Sequence, residues 1–217
     1  YVERGGVKSW YAVWGDSGPW IAFAPIFQIT HSQMLKMTAP YLSHHFRVVT
    51  MDLRGNGRSD RPLDAAAYSF DAYYDDFVAV LDAAGADRVA VVGISATAMT
   101  ALRLAAQEPA RVTHLIAVGG FAEFVSVEAE RMAHLRAERQ FMHEDWAGYL
   151  CHFFALCFPE PHSTKAHEDA VRFGWASTSA VVELGRDGWR QGDTREFASA
   201  VRAPTLVIHG GDDRRVP

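Results

Sequence analysis

The stretch Arg88-Val89-Ala90-Val91-Val92, followed at once by Gly93-Ile94-Ser95-Ala96-Thr97 and an amphipathic run to Gln107, constrains this chain more than any other feature. Four residues without a polar interruption past Arg88 read as a strand buried on both faces, which is the habit of parallel sheets covered by helices. The run Ala96–Gln107, with Met99, Leu102 and Ala106 on one stripe and Pro109 just beyond, reads as the helix that follows. The same alternation recurs. Val7–Trp14 reads as an early strand after the Gly5-Gly6 turn, and Trp20–Ala24 as a short strand stopped by Pro25. Phe46–Met51, Val112–Val118 and Pro204–His209 supply three more. Ser69 is placed to cap a helix through Ala84, with Tyr74, Phe77, Val78 and Leu81 at helical spacing and Gly85 in the left-handed position that ends it. Strands alternating with helices imply an α/β fold with a mostly parallel central sheet.

Between Phe121 and Phe197 the pattern changes. No convincing strand is visible, and bulky residues (Phe141, Trp146, Tyr149, Phe153, Phe154, Trp189) crowd a helical segment. An insertion of this kind between two parallel strands is expected to form a cap over the carboxyl edge of the sheet. The organisation expected is a core over residues 1–120, a helical cap over 121–197, and a return to the core over 198–217. Phe124 and Trp146 are the cap residues expected to meet the substrate.

Composition narrows the function classes. The 217 residues are 49% hydrophobic and carry 21 basic against 26 acidic side chains, a net charge of −5. A mildly acidic chain is a poor partner for nucleic acid. It has no apolar run long enough to span a membrane. Cys151 and Cys157 lie six apart on one expected helix, on different faces, and lack the spacing of metal ligands. They read as buried thiols, and a cytoplasmic location is inferred from them. Gly55-Asn56-Gly57 lacks the Lys-Ser/Thr of a phosphate-binding loop and reads as a tight loop near the active-site edge.

A serine forced into a sharp strand-to-helix turn presents its hydroxyl at the edge of the sheet, where helix N–H groups favour negative charge. That makes Ser95 the candidate nucleophile. Three further stretches carry a resemblance. Asp52-Leu53-Arg54-Gly55-Asn56-Gly57-Arg58-Ser59 lies about 35–40 residues before Ser95, a distance that a strand–helix–strand unit imposes. Glu108-Pro109-Ala110-Arg111-Val112 leads into the next strand. Pro204-Thr205-Leu206-Val207-Ile208-His209-Gly210-Gly211-Asp212-Asp213 ends the chain's last strand pattern. Together they resemble the α/β-hydrolase family of the capped serine hydrolase or esterase type.

The resemblance implies an α/β-hydrolase fold with an inserted helical cap and a Ser-His-Asp mechanism, with no metal and no organic cofactor. It assigns the triad acid to Asp213 rather than Asp212, with Glu123 a remote alternative. It assigns the oxyanion hole to the backbone N–H groups of Ala96 and Phe27. Phe27 follows by analogy, since relatives carry His-Gly where this chain has Pro25-Ile26. His31 is expected to line the pocket. Thr97 stands where relatives have Gly, so its branched side chain is expected to shift the packing or the turn. The partner expected is a small, apolar molecule with an ester, lactone or related acyl bond, and a homo-oligomer is left open. Carbon–carbon bond hydrolysis, cofactor-free perhydrolysis and a non-catalytic binding protein are the alternatives.

All ten histidines precede Asp213, whereas the family order is Ser, Asp, His. The chain is therefore expected to lack the triad histidine and to be inactive by itself. Truncation is favoured over a cleaved or unplaced C-terminus and over a histidine supplied by another copy.

Overall fold

A computed structural model describes residues 1–122, 129–160, 162, 164–190 and 192–213, and for residues 129–135 only the backbone. Glu123 and Phe124 lie outside the described residues. The chain opens with a hairpin of β1 (Val2–Arg4) and β2 (Val7–Ser9). A six-stranded sheet follows, made of β3 (Tyr11–Trp14), β4 (Trp20–Phe23), β5 (Arg47–Met51), β6 (Val89–Ile94), β7 (Val112–Val118) and β8 (Thr205–Ile208). The order across it is β3-β5-β4-β6-β7-β8, with β3 antiparallel to β5 and every other neighbouring pair parallel.

The single strand expected over Val7–Trp14 is two strands in two sheets. Trp10 stands at the break. Its N–H donates to Ser59 Oγ at 2.8 Å and its carbonyl accepts from the Asp52 N–H at 3.0 Å, so the loop after β5 takes both of its backbone groups. The break falls at the start of the apolar run Trp10–Trp14, whose pattern gives no hint of such a crossing.

One face of the sheet packs on α2 (Phe70–Ala84) and α3 (Ala98–Gln107). That core is built from Ala22, Val49, Val89, Val91, Phe77, Leu81, Ala101, Leu104 and Leu115. Ser69 caps α2 through Oγ, which accepts from the Ala72 N–H at 3.0 Å, and Gly85 ends it at φ +71°. The opposite face packs Phe23, Val48 and Val92 against Ile26, Leu35 and Ala39, the last on α1 (Thr38–Leu42). On α3 the buried stripe is Ala98, Ala101, Leu104 and Ala105 with Met99, and the expected Leu102 and Ala106 are only half-buried. Ala98, Ala101 and Ala105 give the stripe small side chains at three of its positions.

Between β7 and β8 the described residues form α4 (Ala129–Glu144), α5 (Trp146–Cys157), α6 (Thr164–Gly174), α7 (Ser179–Arg190) and the short α8 (Arg195–Ala198). Tyr149, Leu150 and Phe154 of α5, Ala170 of α6 and Val182 of α7 bury one another with Met142 and Ile29. Helix α7 then reaches the main core. Val181 and Trp189 pack with Leu53, Tyr68, Phe70, Tyr73, Ala96 and Met99. A β-carbon on Gly185 would lie 2.4 Å from the Gln28 side chain, so the helix approaches the β4 exit more closely than any larger residue permits. The start and end of the segment are tied together: Thr194 N–H and Oγ1 both donate to the Ala122 carbonyl, at 2.9 and 2.7 Å.

The thiols of Cys151 and Cys157 are exposed, contrary to the expectation of buried ones. The inward face of α5 is taken by Tyr149, Leu150 and Phe154, and neither cysteine falls on it. Leu206, Val207 and Ile208 of the edge strand β8 are 55%, 67% and 49% exposed. Among the described residues no helix is long and apolar enough to cross a membrane.

Candidate active site

Strand β6 ends at Ile94, and Ser95 opens a single helical turn, Ser95–Thr97, that runs on into α3. Ser95 has φ +55° and is the one non-glycine residue with positive φ among the described residues. A left-handed serine costs roughly 1–3 kcal/mol and persists only where its surroundings fix it. They do so here. A β-carbon on Gly93 would lie 2.5 Å from Ala98 Cα, and one on Gly120, two residues past β7, 2.4 Å from Ala98 Cβ. The first turn of α3 is thus pressed into the space left by two absent side chains.

Thr97 adds a third constraint. It is fully buried, and its hydroxyl accepts from the Ile94 N–H and donates to the Ile94 carbonyl, both at 2.9 Å. The branched residue that breaks the glycine pattern is accommodated because its polar atom is satisfied on the backbone just before Ser95.

The strands on either side bring the other expected residues to the same edge. The Ala24 N–H donates to the Val92 carbonyl at 2.9 Å, so β4 and β6 run side by side up to Pro25. The chain then turns at Phe27–Thr30, where the Phe27 carbonyl accepts from the Thr30 N–H at 2.8 Å and from Thr30 Oγ1 at 3.0 Å. Phe27 is half-buried and packs on the cluster that contains Ala96. Among the described residues the Phe27 amide donates no backbone hydrogen bond.

On the other side, Ile94 pairs with Val118 and Val118 with Ile208. The Gly119 N–H donates to the Ile208 carbonyl at 2.8 Å. A β-carbon on Gly119 would stand 3.6 Å from Asp213 Oδ2, and one on Gly120 would stand 3.6 Å from the Ser95 carbonyl oxygen. Asp213 is half-buried and Asp212 exposed. A cavity of about 610 Å³ opens between Asp212-Asp213 and Pro159-Glu160. His209 Nε2 lies 3.9 Å from Asp213 Oδ2.

His31 packs against α6. Its ring meets Phe173 of α6 edge-on at 5.1 Å, and its Nδ1 accepts from the Gln33 N–H at 3.4 Å. Burial holds its pKa below the ordinary histidine value; Asp52 opposes that shift, and Arg58 and Arg61 add to it. Trp146 stacks on Tyr149 at 5.7 Å, against the cluster that α5, α6 and α7 bury, which Phe27 also touches. The hydrogen bonds and ring contacts of His31 and Trp146 do not include Ser95.

The loop after β5 is a buried scaffold. The Asp52 carboxylate, 1% exposed, accepts from the Ser32 N–H at 2.8 Å and the Arg58 N–H at 2.9 Å. Arg54 makes a two-pronged pair with Asp76 of α2, at 2.7 and 2.8 Å. Asn56, read from the sequence only as part of a tight turn, is fully buried and donates to the Gln28 and Thr30 carbonyls. Its place between two glycines was the only available signal.

Residues 29–173 match the alpha/beta hydrolase fold family. The chain is 28% identical over 186 residues to the 2-hydroxymuconate semialdehyde hydrolase of Pseudomonas sp. (strain CF600), covering 84% of this chain and 65% of that protein. It thus spans less than two thirds of that relative's length. Among solved structures it is similar to an esterase from Exiguobacterium antarcticum, with a TM-score of 0.85 at 20% identity, covering 98% of this chain and 80% of that one. It is also similar to the enol-lactonase from Burkholderia xenovorans LB400, with a TM-score of 0.80 at 21% identity, covering 95% and 79%. At such identities these two likenesses speak for the fold. With the family match covering most of its length and the strained serine between β6 and α3, the chain belongs to the alpha/beta hydrolase fold family.

Proposed function

We propose that this protein is a serine hydrolase that cleaves an ester, lactone or related acyl bond in a small, apolar substrate. The observation that carries the reading is Ser95 at φ +55°, the start of a helix, on the carboxyl edge of a parallel sheet. In this reading Ser95 Oγ attacks the substrate carbonyl carbon while a histidine base takes its proton. The carbonyl oxygen becomes an oxyanion held by the Ala96 and Phe27 amides. Collapse expels the alcohol, which takes the proton back from the histidine, and leaves an acyl-serine. Water, deprotonated by the same base, then releases the acid and restores Ser95.

Asp213 is the group that orients the base and balances its charge, and it stands beside the exit of β7, where a β-carbon on Gly119 would lie 3.6 Å from its Oδ2. Of the histidines near the site, His31 packs against Phe173, and His209 Nε2 lies 3.9 Å from Asp213 Oδ2. The helices α4–α7 act as the cap. Apolar surface around Phe27, Phe121 and Leu184, half-buried on the cluster that holds Ala96, favours an apolar acyl group.

The test is Ser95→Ala in the intact protein with para-nitrophenyl acetate. Turnover is expected to fall by about 10⁶ with the fold unchanged. Retention of more than a few per cent of the rate overturns the proposal.

A further inference from the structure

We infer that Asn56 is a positioning residue for the oxyanion hole, an inference that rests on the hydrolase reading above. Its carboxamide is fully buried, and each of its polar atoms is committed. Nδ2 donates to the Gln28 carbonyl at 2.6 Å and to the Thr30 carbonyl, and Oδ1 accepts from the Gly57 N–H at 2.6 Å. Both carbonyls belong to the turn that begins at Phe27, the residue whose amide faces the developing charge. One side chain on the loop after β5 thus grips the turn after β4 at two alternate peptides.

The turn needs an external anchor. Pro25, two residues before it, has no N–H to give. Its internal bonds, from the Thr30 N–H and Oγ1, converge on the Phe27 carbonyl and leave the Gln28 and Thr30 carbonyls to be satisfied from outside. Asn56 itself is held rigidly. Its N–H donates to the Leu53 carbonyl at 3.0 Å, its carbonyl accepts from Ser59, and the Asp52 carboxylate fastens the same loop at Arg58 and reaches Ser32 beyond the turn. A donor aimed at an oxyanion acts only if it is fixed before the reaction, and a displacement of about 1 Å costs on the order of 10² in rate.

The decisive variant is Asn56→Asp in the intact protein. It keeps the shape and replaces two N–H donors with a carboxylate oxygen facing two carbonyls. With para-nitrophenyl acetate, kcat is expected to fall by about 10- to 100-fold while KM stays within about twofold. Hydrogen exchange at the amides of residues 27–31 is expected to quicken. A merely structural role predicts a lower melting temperature with kcat, per folded molecule, unchanged. Should Asn56→Asp not fold, Thr30→Val, which removes the hydroxyl bond to the Phe27 carbonyl, is expected to lower kcat severalfold. A folded Asn56→Asp, or failing that Thr30→Val, with kcat within about twofold of the parent and unaltered exchange overturns the inference. If Ser95→Ala is dead in the same assay, only the role of Asn56 fails; if Ser95→Ala is active, the hydrolase reading and this inference fall together.

Discussion

Thr97 holds Ile94 by both of its backbone polar groups, with one hydroxyl between the N–H and the carbonyl at 2.9 Å each. Ile94 immediately precedes the strained Ser95, so the bond pair acts as a brace on the turn. Thr97→Val keeps the shape and deletes the brace. Leaving buried backbone groups short of a partner costs about 1–3 kcal/mol. The variant is expected to unfold at correspondingly lower denaturant and to lose activity beyond the unfolded fraction, because Ser95 can relax toward ordinary φ. Chemical denaturation read beside turnover per folded molecule checks both parts. Unchanged stability would show that the brace is immaterial.

Gly120 and Ala98 are predicted to be energetically coupled. A β-carbon at residue 120 would fall 2.4 Å from Ala98 Cβ. Gly120→Ala is expected to destabilise by about 1–3 kcal/mol through overpacking. Ala98→Gly in the same chain removes the colliding atom. The two changes together are therefore expected to cost less than their sum, by about 1 kcal/mol or more. Urea titration of the four proteins measures this, and strict additivity would contradict the contact.

His31 gives a pH dependence with a definite sign. Burial, with Arg58 and Arg61, holds its pKa below the free value, so the unfolded chain binds the proton first as pH falls. Its contribution to stability is whole above the free-imidazole value of about 6.5 and is lost as pH falls through that value toward the folded one. His31→Asn is expected to flatten the fall in melting temperature between about pH 7.5 and about pH 5.5. Equal slopes for parent and variant would contradict the assignment.

What was legible in the sequence follows from what local pattern encodes. The strand at Val112–Val118, the cap and stop of α2 at Ser69 and Gly85, and the Ser95 turn each rest on neighbours in sequence, and the structure has them in place. The break at Trp10 was not legible, because its cause is the Ser59 hydroxyl 49 residues away. Nor was the exposure of Cys151 and Cys157, which depends on which face of α5 meets α6 and α7. Thr97 looked like a defect because sequence shows its branched carbon and not the backbone its hydroxyl reaches. Asn56 looked like a turn residue because its partners, Gln28 and Thr30, lie on another loop.

The central claim, that Ser95 is an activated nucleophile, is tested most directly by a fluorophosphonate probe, which forms a covalent bond only with such a serine. The intact protein, labelled and digested, is expected to carry the adduct on the peptide containing Ser95, with no labelling of Ser95→Ala. Absence of label on folded protein, or label retained by Ser95→Ala, would contradict the account.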